Sequence, residues 1–265
     1  MLLAILVWLL SFGIVGLFAI KRWWFPDPIN ALARDFDSHF ALTALVTGGI
    51  FLVAHLILGY CIVRFRDRGA AIKQFEPSTK MELGWTIAGT VLFVGLAVAS
   101  ARIWAGVHMT APSPNALRIE VLGKQFAWSA RYTGPDGRLG RTAVKFINDA
   151  NGNPFGIDEA DPAGKDDIVT STVRVPVNTP VLLTLRSRDV IHNFFVRELR
   201  IKQDVVPGME IPLPFIADKP GTYEVACSEL CGLGHHQMRS TLVVMTQEDY
   251  DQWQKQMLEQ LRQQQ

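Results

Sequence analysis

Three apolar runs fill most of the first hundred residues, and they restrict what this chain can become more than anything else in it. Residues 1–20 are unbroken apolar sequence. Residues 40–63 are interrupted only by His55 and small polar groups, and 83–104 carry a single charge, Arg102, near the far end. At about 1.5 Å per residue, each run supplies the roughly 20 helical residues that cross about 30 Å of hydrocarbon. The alternative, three helices buried in a protein core, fails because the rest of the chain is too small to bury them. The first part of the chain therefore reads as membrane-spanning.

The loops set the orientation. Arg64-Phe-Arg-Asp-Arg68, followed by Lys73 and Lys80, is basic and belongs on the cytoplasmic side. Residues 40–106 then form a helical hairpin whose two far ends face outward, and everything after Trp104 lies outside. The run at 1–20 lacks the basic start of a signal peptide, and Ala31-Leu-Ala33 lies too far beyond it to serve as its cleavage site. It is expected to be an additional N-terminal span with a cytoplasmic start, in preference to a signal peptide. The Lys21-Arg22 pair on the outer side runs against the usual charge bias. The expected setting is a bacterial cell membrane, crossed several times, with the C-terminal domain on the periplasmic side and lipid around the helices.

Beyond residue 115 the period changes. Leu117, Ile119 and Val121 alternate with Arg118 and Glu120, the period of two of a strand. Further strands are expected at 171–175, 181–187, 193–198, 210–216, 222–227 and 240–245. Thr133-Gly-Pro-Asp-Gly137 and Asp218-Lys-Pro-Gly221 supply turns between them. Many short strands with such turns predict an all-β sandwich or barrel over 115–246. The tail at 247–265 is polar and Gln-rich, expected as a short exposed helix. A net charge of +1 gives no reason to expect a nucleic-acid partner.

The chemistry is concentrated in Cys227-Ser-Glu-Leu-Cys231-Gly-Leu-Gly-His235-His-Gln-Met238. Three cysteines are too few for a disulfide framework, and Cys61 sits inside an apolar run as a small hydrophobe. Sulfur and imidazole together suit copper or zinc and disfavour magnesium or calcium. Structural zinc wants four Cys or His ligands and has no use for methionine. A methionine beside cysteine and histidine suits a copper electron-transfer site, and two cysteines allow two ions to be bridged. A second histidine is required elsewhere, and His192 in Asp189-Val-Ile-His192 stands at the start of an expected strand.

The Cys227–Met238 stretch resembles the two-copper (CuA) motif of cytochrome c oxidase subunit II. Asp189-Val-Ile-His192 and Gln203-Asp-Val-Val-Pro-Gly208 are similar to that family's other two motifs, in the same order, so the likeness covers roughly residues 40 to 246. It implies a cupredoxin-like sandwich after the membrane helices. It further implies copper held by His192, Cys227, Cys231, His235, Met238 and the backbone carbonyl of Glu229, with the two thiolates bridging. The Glu229 carboxylate would reach a magnesium ion shared with subunit I. Electrons would come from cytochrome c or another external donor and pass to haem in subunit I, where oxygen is reduced to water. A copper subunit of a nitric-oxide-reducing enzyme and a membrane-tethered copper-binding module are the alternatives. No Cys-x-x-Cys-His occurs, so no covalent haem is expected on this chain.

Other residues take roles only through the resemblance. Glu82, in Met81-Glu-Leu-Gly-Trp85, would stand at the mouth of a proton path into subunit I; an interfacial acid beside an aromatic anchor is the plainer reading. In Lys124-Gln-Phe126-Ala-Trp128 the family's aromatic patch is reduced to Phe126 and Trp128, the region where electrons would arrive, against simple core packing. The acidic residues of 142–167 could steer a basic donor, although such loops are more often just solvated.

Overall fold

The structure, a computed structural model, describes residues 1–21, 25–67 and 78–264, with no account of the Gln264 side chain. Arg22, Arg68 and Lys73, used above for orientation, lie outside the described residues. Two compact units divide the chain: Met1–Phe25 with Arg34–Gly106, and Pro26–Ala33 with Val107–Gln265.

The first unit is helical. α1 (Leu2–Ile20), α2 (Ala31–Arg64) and α3 (Thr79–His108) are each long and apolar enough to cross a membrane. Their apolar residues point outward on all sides, as lipid-facing helices require. α2 and α3 outrun the expected apolar runs. At 34 and 30 residues they extend to about 51 and 45 Å, longer than the hydrocarbon layer. The added first turns of α2 carry Arg34, Asp35 and Asp37, which no apolar window would include. α1 meets α2 where the Trp8 indole N–H donates to the Leu56 carbonyl at 3.4 Å. A Cβ on Gly59 would come within 2.2 Å of that ring, so only glycine admits the contact.

The second unit is a sandwich of two five-stranded sheets. Its strands are β1 (Leu117–Lys124), β2 (Ala127–Tyr132), β3 (Ile168–Thr170), β4 (Val173–Pro176), β5 (Pro180–Ser187), β6 (His192–Val196), β7 (Ile201–Val205), β8 (Ile211–Ile216), β9 (Gly221–Cys227) and β10 (Arg239–Met245). One sheet runs β3-β2-β1-β5-β8 and the other β4-β10-β9-β6-β7, with β1 parallel to β5 and β4 parallel to β10. Alternate residues of both sheets meet in the middle: Ile119, Val121, Leu183, Leu185 and Leu213 from one, Val175, Phe194, Val196, Val225 and Leu242 from the other. The fold class, membrane helices followed by an all-β sandwich, is the expected one.

Three features depart from the sequence reading. β2, β3 and β7 were not foreseen. The C-terminal tail is α4 (Gln247–Gln264), and it is not simply exposed. Tyr250 is buried, and Trp253, Met257, Leu258 and Leu261 pack on the sandwich core. Trp253 stands edge-on to Tyr132 and lies under the Arg174 guanidinium. The third is the segment Pro26–Ala33, which joins α1 to α2 yet is built into the β unit. Ile29 is buried in the core; its N–H donates to the Glu198 carbonyl (3.1 Å) and its own carbonyl accepts from Asp218 N–H (2.8 Å). Asn30 caps α2 by accepting the Ala33 N–H at 2.6 Å while its amide donates to the Leu199 carbonyl.

A buried charge cluster fastens the long 133–167 connection to the sheet. Arg131, only 1% exposed, donates Nε to Asp167 at 3.0 Å, Nη1 to Glu120 at 3.2 Å and Nη2 to the Gly140 carbonyl at 2.6 Å. Glu120 also pairs with Arg186 at 2.6 Å, and Asp167 accepts the Gly140 N–H at 3.0 Å. Burial pushes the Asp167 carboxyl up, with Arg131 opposing.

Candidate metal centre

Each expected copper ligand lies at one end of the sandwich. His192 opens β6, Cys227 closes β9, and Glu229, Cys231 and His235 lie in the connection to β10, with Met238 immediately before that strand. The β6–β9 pairing, Phe194 opposite Cys227, is what brings the distant histidine to the cysteine loop. Backbone bonds fix the loop's two ends: Cys227 N–H donates to Met238 O (3.0 Å) and Ser228 N–H to Asn193 O (3.2 Å).

The donor atoms converge. The two sulfurs are 3.8 Å apart, too far for a disulfide, and all three cysteines are free thiols. His192 Nδ1 is 3.9 Å from Cys227 Sγ; His235 Nδ1 and Met238 Sδ are each 3.7 Å from Cys231 Sγ. The Glu229 carbonyl lies 3.2 Å from Cys227 Sγ. Among the described residues His192, Cys227 and Cys231 offer ligand atoms within 4.8 Å of one another. His192 is fully buried and Met238 1% exposed, so neither finds its partners in water. Two thiols, two imidazole nitrogens, a thioether and a carbonyl make a soft donor set with weak outer members, which fits copper; the thioether and carbonyl are donors that a four-ligand zinc cage would not use.

The surroundings prepare these donors. His192 Nε2 lies 2.8 Å from Asp189 Oδ1, so the proton sits on Nε2 and the Nδ1 lone pair faces the sulfurs. Burial would raise the Asp189 carboxyl. The Gln125 N–H, the His192 ring and the Val190 N–H outweigh it and hold it below the usual range. The Cys231 thiol is pushed up to about 11, by burial first and then by the neighbouring Cys227. Metal must therefore displace protons to enter. A Cβ on Gly123 would stand 3.0 Å from both the His192 and Trp128 rings, so this glycine makes room for the ligand.

The aromatic residues divide. Trp128 is buried, edge-on to His192 (5.9 Å between centroids) and Phe194 (5.6 Å). Phe126 is 39% exposed at the β1–β2 tip, and its ring lies against Gly232 and Gly234 of the cysteine loop. The Glu229 side chain is exposed beside the site, and Glu82 is exposed in the first turn of α3. Most of the acidic groups of 142–167 are paired with cations, although only Asp167 is buried. Asp149 meets Lys124 (2.6 Å) and Arg188 (2.9 Å), Asp158 and Asp161 meet Arg141 (3.1 and 3.3 Å), and Asp167 meets Arg131. Sequence reasoning gave no role to Gln125, Asp189 or Gly123. Asp189 and Gln125 lay inside quoted motifs, but only the fold shows what they touch.

The chain is similar to proteins of one family. The family model for cytochrome c oxidase subunit II, periplasmic domain, matches residues 117–246. The alternative cytochrome c oxidase subunit 2 of Bradyrhizobium diazoefficiens is 34% identical over 255 residues, spanning 96% of this chain and 91% of that one. Cytochrome c oxidase subunit 2 of Synechocystis sp. is 31% identical over 257 residues, spanning 86% and 74%. The crystal structure of the periplasmic domain of subunit II of cytochrome oxidase from Bradyrhizobium japonicum is 27% identical, covering 57% of this chain and 99% of its own, with a TM-score of 0.42.

Proposed function

The chain belongs to the cytochrome c oxidase subunit II family, and from that membership we propose that its outer domain receives electrons at a two-copper centre and hands them to haem in subunit I for oxygen reduction to water. One observation carries the reading: six donors of the right softness gather at one end of the sandwich, with two unbonded sulfurs 3.8 Å apart and an imidazole nitrogen beside each. Copper held by these donors would supply a one-electron relay.

The chain's own residues do the rest. Cys227 and Cys231 would hold the copper through their sulfurs, His192 and His235 through imidazole nitrogens, and Met238 and the Glu229 carbonyl through weaker contacts. Asp189 holds the proton of His192 on Nε2, away from the metal side. The two sheets fix the ends of both ligand loops, which limits how far donors move when charge changes. Phe126, the exposed ring against the cysteine loop, is the surface at which an external donor such as cytochrome c delivers its electron; Trp128 supports His192 from beneath. The exposed Glu229 carboxylate is free to reach magnesium at the subunit I boundary, and Glu82 takes up protons at the start of α3.

The β unit contains Pro26–Ala33 as well as Val107–Gln265, which supports a common side for the end of α1, the start of α2 and the end of α3. That side is periplasmic in a bacterial cell membrane, with Arg64, Arg66 and Lys80 on the cytoplasmic side. Purifying the intact complex and counting its metal tests the proposal. Two coppers per chain, a purple colour and a delocalised mixed-valence spin signal are expected, together with an oxygen-reducing haem subunit. A single colourless metal would leave only a tethered binding module, and a nitric-oxide-reducing partner would reassign the acceptor.

A further inference from the structure

Gln125 touches both halves of the candidate centre, and the electron-transfer reading gives it nothing to do. It sits at the tip between β1 and β2. Its side-chain Nε2 donates to the Cys231 carbonyl at 2.6 Å, and its backbone N–H donates to Asp189 Oδ2 at 2.7 Å. The other oxygen of Asp189 lies 2.8 Å from His192 Nε2. One residue thus joins the turn that leads into His192 to the loop that carries Cys231, 64 and 106 residues further along the chain. The fit is close: a Cβ on Gly232 would stand 2.8 Å from Gln125 Nε2, and Gly232 holds φ +131°, which other residues rarely adopt.

We propose that Gln125 is a positioning residue which pins the Cys231 loop against the His192 strand and raises the reduction potential of the two-copper centre; this rests on the copper reading above. The reduced centre carries one more electron, shared with the sulfurs. The positive end of the Gln125 amide points at the Cys231 peptide and stabilises that electron-rich state. The same bond keeps the loop closed over a thiol that is 3% exposed.

Two variants of nearly equal volume separate these roles in the full chain, purified within its complex. Gln125→Met keeps the bulk and loses the donor; Gln125→Glu keeps the shape and turns a negative oxygen toward the carbonyl. Both should keep two coppers and lose them to a chelator about 10-fold faster. Redox titration of the copper band should rank the potentials wild type, then Met, then Glu. A purely structural role would lower both variants alike or move neither. In metal-free protein, alkylation of Cys231 should run several-fold faster in Gln125→Met. Potentials equal to wild type, a Glu variant no lower than Met, or unchanged alkylation would each overturn the proposal. If Gln125→Glu does not accumulate, Gln125→Met against wild type decides. A wild-type chain that binds no copper pair would instead remove the functional reading, and the alkylation arm would still judge the pinning.

Discussion

Replacing Arg131 by Met tests how the sandwich tolerates charge in its interior. The substitution withdraws a guanidinium that contacts Asp167, Glu120 and the Gly140 carbonyl, all away from water. Glu120 keeps Arg186 at 2.6 Å, and Asp167 keeps one N–H from Gly140. The stranded group is therefore chiefly the Asp167 carboxylate, 4% exposed. Breaking a buried pair by removing one partner costs about 3–5 kcal/mol, and the surviving contacts place this case near the lower end, about 3 kcal/mol. For a unit of this size that corresponds to a fall in Tm of roughly 6–12 °C. The sign of the pH dependence follows. Burial already raises the Asp167 carboxyl, and loss of Arg131 raises it further. A folded-state pKa above the unfolded value means the deficit is full at neutral pH and shrinks as pH falls through that raised pKa. Thermal unfolding by near-ultraviolet circular dichroism at pH 7 and pH 4.5 measures both effects. Adding Asp167→Asn should restore most of the loss, because a neutral amide costs far less to bury. A Tm drop under about 3 °C at pH 7, or no recovery in the double variant, would refute the reasoning.

Three further outcomes are expected. Gly234→Ala places a Cβ 2.5 Å from the Phe126 ring, so the copper band should weaken in the single variant and recover when Phe126→Ala is added. Trp253→Ala removes the half-buried ring between Tyr132 and Arg174 and should cost about 2 kcal/mol in thermal unfolding without altering the copper spectrum. The Asp149 carboxyl, held down to about 2 by Arg188 and Lys124, should titrate near its ordinary 3.8 in the Lys124→Met/Arg188→Met variant when followed by NMR. Its stabilising pairing is present above that ordinary value and is lost as pH falls toward 2.

What was readable beforehand follows from the range of the interactions. Membrane helices leave long monotonous runs, so α1, α2 and α3 stood out; the charged first turns of α2 did not, because they leave the hydrocarbon. β2 reads Ala-Trp-Ser-Ala-Arg-Tyr, without a β-branched residue, and its Arg131 is buried against Glu120 and against Asp167, which comes back 36 residues later. β7, Ile-Lys-Gln-Asp-Val, is apolar only at its ends. In α4 the residues Tyr250, Trp253, Met257 and Leu261 keep a helical spacing, but glutamines and charges around them hide the stripe. Five of the six candidate copper donors fall within twelve residues and could be read as a unit. Gln125, Asp189 and Gly123 act through contacts between strands, and nothing local marks them.

The Pro26–Ala33 segment has a consequence for how the protein is made. Ile29 leaves the ribosome long before Glu198 and Asp218, the residues whose backbone it bonds. The core of the sandwich cannot be completed from late-made residues alone, because Ile29 from the early segment is buried in it. Maturation of the copper-binding portion is thereby tied to correct threading of the helices: a chain in which only one of α2 and α3 crossed would hold residues 26–33 apart from the core they complete.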